Sequence, residues 1–380
     1  MTKVAPERLN PFLSERFGPG ETRLTRIGGG QSNPTFIVDH GDRRMVLRKR
    51  PDGGILRGAH AIDREFRVMR ALRDTDVPVP HALVFHDDPD LLGTPFYLMD
   101  FVEGRVFPDC RLPGLSPGER REIYLSMAGT LARLHAVRPD AVGLADFGRP
   151  GDYFARQLHR WTSQLRASSL ANDASLLALS ERLAALQPPD DGLTAIAHGD
   201  FRLGNMLIHP REPRVIAVLD WELSTIGHPL ADLGFVVMPF HTSPDEYGGI
   251  LGSQTPGIPS EADFIDAYRA ICPGVPAPQP FHIAFALFRF AVIFVGIADR
   301  ARAGNAADPE AWRLAPLAGR LAERAWQVLG KTQPPLWMDR PCRRSPCRCR
   351  CSMLNSRAKS RATFRRCTGC GIGWSESALR

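Results

Sequence analysis

Apolar and polar positions alternate in short runs along the first hundred residues. The pattern predicts strands at 23–27, 35–38, 43–48, 83–86 and 96–101. His40, Gly41 and Asp42 supply a turn between the second and third. One stretch has the helical period instead. Ile62, Phe66, Met69 and Leu72 recur at steps of four, three and three, so they share one face of a helix over 59–72. Val77, Pro78, Val79 and Pro80 then force an extended link, because a proline pushes the residue before it out of the helical region. After Glu103 and Gly104 the period changes. Ile123, Met127, Leu131 and Leu134 line one face of a helix over 119–136, and further helices are expected at 152–166, 173–186, 263–271, 281–302 and 309–329. Between them, residues 194–232 form short apolar runs broken by turn residues, and no internal repeat appears.

The pattern implies an α+β chain in three parts: a small β-rich lobe at 1–103, a larger helical lobe at 104–331, and a tail at 332–380. A cleft between two such lobes is a natural ligand site. Residues 281–298 read FHIAFALFRFAVIFVGIA, at the short limit for a membrane span but carrying His282 and Arg289. A buried core helix is the expectation, with no membrane partner. No apolar signal-like segment follows Met1, which points to the cytoplasm.

Charge and cysteine single out the tail. The chain has a net charge of +7, but residues 340–380 hold 11 Lys/Arg and one acid. Removing these from the 48 basic and 41 acidic residues leaves 37 and 40 in 1–339, a net charge of −3. The body therefore carries no electrostatic footprint for nucleic acid. Only Cys110 and Cys272 lie in the body, which fits a reducing compartment. The tail holds Cys342, Cys347, Cys349, Cys351, Cys367 and Cys370. Three readings of it stay open: a zinc module, a basic nucleic-acid-binding tail, or a disordered extension produced by a reading-frame shift. Its spacing fits no common zinc finger, and its composition favours the extension.

The chemistry concentrates at HGDFRLGN, residues 198–205, which has the form H-x-D-x₄-N. That is the spacing of a kinase catalytic loop, with Gly199 where protein kinases place arginine. Met206, Leu207 and Ile208 form a short strand, and residues 215–219 a returning one. Such a hairpin sets Asn205 and Asp220 side by side, about 5 Å apart at Cα. An amide oxygen and a carboxylate then converge, as Mg²⁺ requires when it also keeps waters and phosphates. Asp200 is the candidate acceptor of a hydroxyl proton. Asp and Asn at strand ends also serve as plain turn residues and caps. His198 reads as a structural hydrogen-bonding group. Asp232 either braces the loop or supplies a first-turn helix charge.

Upstream elements follow in matching order. Gly28, Gly29 and Gly30, with Gln31 and Ser32, lie between two strands; they either fold over phosphates or make an ordinary hairpin turn. Alternation puts Val46 and Arg48 on one face of a strand and Leu47 and Lys49 on the other. Arg48 can reach nucleotide phosphates and pair with Glu65 of the following helix; alternatively it belongs to a solvated edge with Lys49 and Arg50. Substrate contacts are expected after residue 230, near His241 to Tyr247 or at Arg289.

HGDFRLGNML followed by VLDWELSTIGHPLADLGF resembles the aminoglycoside phosphotransferase/choline kinase family. VLRKRPDGG, AHAIDREFRVMRAL and FRFAVIFVGIADRARAGNA resemble the branch that includes the kinase-like domain joined to some acyl-CoA dehydrogenases. The resemblance covers roughly residues 8–330. It implies a bilobal protein-kinase-like fold with ATP in the interlobe cleft and Mg²⁺. It implies Asp200 as catalytic acid/base, Asn205 and Asp220 as metal ligands, and Arg48 in the place of the usual nucleotide lysine. It also implies adenine contacts from the backbone near Asp100 and Val102. The expected function is ATP- and Mg-dependent phosphorylation of a small-molecule alcohol, with a hydroxyacyl thioester or a sugar-like alcohol as acceptor. The alternative is a nucleotide-binding pseudokinase or regulatory module.

Overall fold

A computed structural model of the chain describes residues 4–27, 33–51, 62–149, 151–304 and 310–330. Gly28, Gly29, Gly30 and Ser32, and the whole Cys/Arg-rich tail, lie outside the described residues. The chain opens with helix α1 (Pro6–Phe17), then strands β1 (Thr22–Arg26), β2 (Thr35–His40) and β3 (Arg43–Lys49). Helix α2 (Ile62–Leu72), strand β4 (Ala82–His86), the single turn α3 (Pro89–Leu92) and strand β5 (Phe96–Asp100) follow. The five strands make one antiparallel sheet in the order β1-β2-β3-β5-β4.

The period of two decides what each face of the sheet carries. Met45 and Leu47 of β3, with Phe96 and Leu98 of β5, point to an outer core shared with α1. Val46, Tyr97 and Met99 point the other way, into the main core, where Val68, Met69 and Leu72 of α2 meet them. Helix α1 is absent from the reading of the sequence. Pro6 suits its first turn, but Pro11 lies inside it and removes a backbone donor. Leu9, Phe12 and Leu13 are buried on one face, and burying each contributes about 1.5–3 kcal/mol, enough to offset the proline.

The rest of the chain is mostly helical: α4 (Pro117–Ala136), α5 (Tyr153–Arg166) and α6 (Ala174–Leu186), then four short strands, then α7 (Pro229–Val236), α8 (Glu261–Ile271), α9 (Pro280–Arg302) and α10 (Ala315–Val328). The strands are β6 (Ala195–Ala197), β7 (Met206–Ile208), β8 (Val215–Val218) and β9 (Thr225–Gly227), paired β6 with β9 and β7 with β8. Capping boxes start α4 at Ser116 and Glu119 and α8 at Ser260 and Asp263, each satisfying two orphan backbone donors. Among the described residues α9 is the one helix long and apolar enough to cross a membrane; 83% of its most apolar window is buried. It packs against α5, α6, α7 and α10. A small antiparallel sheet lobe followed by a helical lobe is the bilobal kinase-like arrangement expected from the sequence.

Candidate active site

Residues 194–227 are folded by two short ribbons, and both serve one loop. β6 runs into His198, and β9 returns beside it. Gly199 has φ +83°, and a Cβ there would lie 2.7 Å from the carbonyl oxygen of Leu223, so the turn accepts only glycine. The loop is held from below. Asp232, 1% exposed on α7, accepts from the amides of His198 (2.6 Å) and Gly199 (2.8 Å). Burial works against its charge, but the His135 bond and charge and these amides hold its carboxyl below the ordinary value. His135 lies 3.4 Å from Asp232 and 2.7 Å from the Tyr268 hydroxyl. Arg289 donates to the carbonyl of Gly199, with its guanidinium against the rings of Trp161 and Phe235. Arg289, expected near the substrate, is instead buried under the loop.

His198 fastens the loop to the hairpin. Its Nδ1 accepts from the amide of Asp200 (3.1 Å), which leaves Nε2 to donate to the carbonyl of Leu219 (3.0 Å). Its ring lies against buried Trp221, whose indole donates to Val218. Asp200 then meets Asn205 directly. The Asn205 amide donates to the Asp200 carboxylate (2.7 Å) and to its carbonyl (2.9 Å). Arg202 Nε donates to the same carboxylate oxygen at 3.2 Å.

The hairpin register differs by one step from the expectation. Met206 pairs with Val218, so Asn205 faces Leu219, whose amide donates to its carbonyl (2.8 Å). Asp220 lies one residue beyond. It has left-handed backbone angles, φ 65° and ψ 61°, unusual for a residue other than glycine and frequent at functional sites. A bulge opposite Leu207 and Ile208 inserts Ile216 into β8 and brings Asp220 to within one residue of the position facing Asn205.

Asp220 reaches the sheet. Its Oδ1 accepts from Arg48 Nη2 at 2.7 Å, and Arg48 Nε lies 3.1 Å from Glu65. Glu65, 1% exposed on α2, also accepts from Tyr97 (2.9 Å) and Asn33 (3.0 Å). Glu222 stands 3.9 Å from Arg48. Burial works against the Arg48 charge, yet Glu65 and Asp220 hold its pKa above the ordinary value. Arg48 is thus embedded in an acid cluster and does not belong to a solvated edge. Lys49 is 2% exposed and so is not solvated either.

The strand β5 ends at Asp100. The Asp100 amide is taken by the His81 carbonyl (3.0 Å) and the Phe101 amide by that of Arg44 (3.3 Å). Among the described residues the amides of Val102, Glu103 and Gly104, at the crossing between lobes, have no such partner.

The donor set suits a hard divalent cation. Both hydrogens of the Asn205 amide are spent on Asp200, which leaves its oxygen; Asp220 keeps one carboxylate oxygen beyond Arg48. One neutral and one anionic oxygen ligand match Mg²⁺ that completes its shell with phosphates and water.

Beside the catalytic loop opens a cavity of about 400 Å³. Arg202, Leu203 and Gly204 form one wall, and Tyr124, Met127 and Phe290 are among its apolar lining. Tyr247 stands at its edge with φ 66°, its ring against Phe290 and Phe294. The expected substrate region thus contributes Tyr247, while His241 is paired with Glu261 at 2.9 Å. Arg202 carried a signal the sequence reading passed over: it lies within the motif, two residues from Asp200.

Comparison with known proteins places this arrangement. The profile described as "Phosphotransferase enzyme family" matches residues 23–264. Acyl-CoA dehydrogenase family member 10 of Mus musculus is 38% identical over 338 residues, covering 86% of this chain and 31% of that protein. Family member 11 of Homo sapiens is 40% identical over 333 residues, covering 85% and 42%. The chain therefore spans less than half the length of these curated relatives. A crystal structure of a candidate aminoglycoside phosphotransferase from Ralstonia eutropha is 39% identical, with TM-score 0.78, covering 87% of this chain and all of that one. Macrolide 2′-phosphotransferase type I, 21% identical with TM-score 0.57 over 84% of this chain and 98% of its own, shares the fold.

Proposed function

Since the chain belongs to the phosphotransferase enzyme family, we propose that it transfers the γ-phosphoryl group of ATP, with Mg²⁺, to a hydroxyl group of a small molecule. The observation that carries this reading is the 2.7 Å contact between Arg48 and Asp220. It joins the cation of the sheet lobe to the acid at the end of the hairpin that begins beside Asn205, whose side chain in turn holds Asp200.

In this reading Asn205 and Asp220 hold the metal ion, whose chemistry is to neutralise phosphate charge. Arg48, oriented by Glu65, binds nucleotide phosphates, and the backbone at Asp100 and Val102 binds the base. Gly29, Gly30 and Ser32 cover the phosphates. Asp200 aligns the acceptor hydroxyl and takes its proton as the new phosphate ester bond forms and ADP leaves; the proton then passes to solvent. Phosphoryl transfer asks mainly for positioning and charge, and Asp200 is held by Asn205 and Arg202 for that role.

The acceptor class proposed first is a hydroxyacyl thioester. Its support is the name acyl-CoA dehydrogenase carried by the relatives, together with the apolar cavity beside Asp200. A sugar-like alcohol is the second choice. The same reading assigns the protein to the cytoplasm with no nucleic-acid or membrane partner, supported by the net charge of −3 over 1–339 and the free Cys110 and Cys272.

Measuring ADP release with a panel of hydroxyacyl thioesters and polyols, with Mg²⁺ and with chelator, tests the proposal. Acceptor-dependent, Mg-dependent ADP release is expected. Tight nucleotide binding with no release against the whole panel would instead establish the pseudokinase alternative.

A further inference from the structure

The cavity beside the catalytic loop carries a charge pattern that the transfer reaction alone does not require. Its lining contains no carboxylate among the described residues, and Arg202 is its one cation. The acids around it are already paired: Asp200 with Arg202 itself (3.2 Å), Asp109 with Arg111 (2.7 Å), Glu246 with Arg324 (2.8 Å) and the amide of Ser243, and Asp245 with Arg320 (2.5 Å). Arg202 itself is held at the mouth. Its Nε is fixed by Asp200 at 3.2 Å, its guanidinium carbon lies 5.8 Å from the ring centroid of Tyr247, and Gly204 leaves room at its flank. Among the described residues its two terminal nitrogens meet no acceptor. Tyr247 holds its place through left-handed backbone followed by Gly248, also at positive φ. Gly248 adopts that region freely, but for Tyr247 it is strained, and such strain in a residue other than glycine clusters at functional sites.

We propose that Arg202 is the specificity-determining residue for the acceptor: its terminal nitrogens bind a carboxylate or carbonyl oxygen of an alcohol whose carbon chain fills the apolar cavity, and its charge rejects amine-bearing acceptors. The proposal rests on the reading of Asp200 as the residue that orients the acceptor hydroxyl. Arg202 touches both Asp200 and the cavity, so an oxygen bound by its planar fork has its hydroxyl-bearing carbon near Asp200. A guanidinium suits this task because it presents two parallel donors and stays charged. A polycationic sugar meets the opposite environment: the lining offers no carboxylate, and Asp200 at the mouth is already paired with Arg202.

Calorimetric binding of three probes of equal chain length, each with its hydroxyl two carbons from the head group, to the full-length protein tests it: 3-hydroxydecanoate, 1,3-decanediol and 1-aminodecan-3-ol, each with ADP and Mg²⁺ present. The hydroxy acid is expected to bind about tenfold to a hundredfold more tightly than the amino alcohol. Arg202→Gln should bring the three affinities within about threefold of one another, and Arg202→Lys should restore part of the preference, since it keeps the charge and loses the fork. Equal binding of acid and amine by the native protein, failure of all three to bind, or an unchanged preference in Arg202→Gln would each overturn the assignment. ADP release measured in parallel separates this result from the kinase reading. Charge-selective binding without ADP release counts against phosphoryl transfer and leaves Arg202 assigned; ADP release without charge selection does the reverse.

Discussion

Arg48 and Asp220, 172 residues apart in the chain, meet at 2.7 Å and close the two halves of the site on each other. The contact orders both partners. Arg48 brings Glu65 with it, and Asp220 brings the hairpin that carries Asn205. Replacing Arg48 by alanine should raise the dissociation constant for ATP about tenfold or more, because a charge-assisted contact to phosphate is lost. Lys49→Ala should leave ATP affinity alone and lower the melting temperature instead, since Lys49 is fully buried. Nucleotide titration and thermal melts of the two variants distinguish them; equal losses of affinity would place the phosphate cation on the wrong face of β3.

Asp200→Asn keeps the volume and the hydrogen bond to the loop amide but removes the proton acceptor. Turnover should fall by about 10²–10⁴ while ATP affinity stays within about twofold. Single-turnover measurement checks it. Turnover within tenfold of the native enzyme would assign the proton to another group.

Asp232 receives two backbone amides of the catalytic loop at a site closed to water. Asp232→Ala leaves both donors and His135 without their acceptor. A loss of about 3–5 kcal/mol in stability is expected from urea unfolding. Asp232→Asn, which keeps one acceptor oxygen, should fall between. A cost below 1 kcal/mol in the alanine variant would show that the loop is braced mainly by Arg289.

His282 on α9 carries a pH signature. Burial first, then the charge of the neighbouring His228, whose ring stacks 6.4 Å away, pushes its imidazole from 6.5 down to about 4. The unfolded chain takes up the proton near pH 6.5 and the folded chain only near 4. Its contribution to stability is therefore complete above pH 6.5 and is lost as pH falls from there through about 4. The loss amounts to about 3 kcal/mol at 1.36 kcal/mol per unit. His282→Gln should flatten the dependence of unfolding free energy on pH in that window; an unchanged slope would refute the assignment.

The sequence shows the parts of the site that follow from local periodicity. Alternation in β3 separates Arg48 from Lys49, and the helical period of α2 sets Glu65 beside its packed face. The spacing from Asp200 to Asn205 is likewise local. What escapes is decided by distant packing. Helix α1 hides behind two prolines, and its reason to exist is the outer face of a sheet formed by residues up to a hundred positions away. The register that leaves Asn205 opposite Leu219 is set by the turn and by a bulge at Ile216, which no hydrophobic pattern announces. Arg289 looks from sequence like a charge stranded in an apolar helix. Its partner is the carbonyl of Gly199, ninety residues earlier. Asp232 remains ambiguous until the two amides that point at it are seen.

Helix α2 is fastened at its polar face. Arg64 donates to the carbonyls of Phe147 (2.7 Å) and Ser224 (3.2 Å), and Arg67 to Gly143 (2.9 Å) and to Asp146. Protein kinases are commonly switched off by moving the equivalent helix outward, which withdraws its glutamate. Here that swing would break four contacts that bolt the small lobe to the large one. Withdrawing Glu65 from Arg48 in that way would therefore cost the hydrogen bonds of Arg64 and Arg67 as well, so the position of the glutamate is tied to the far side of its own helix.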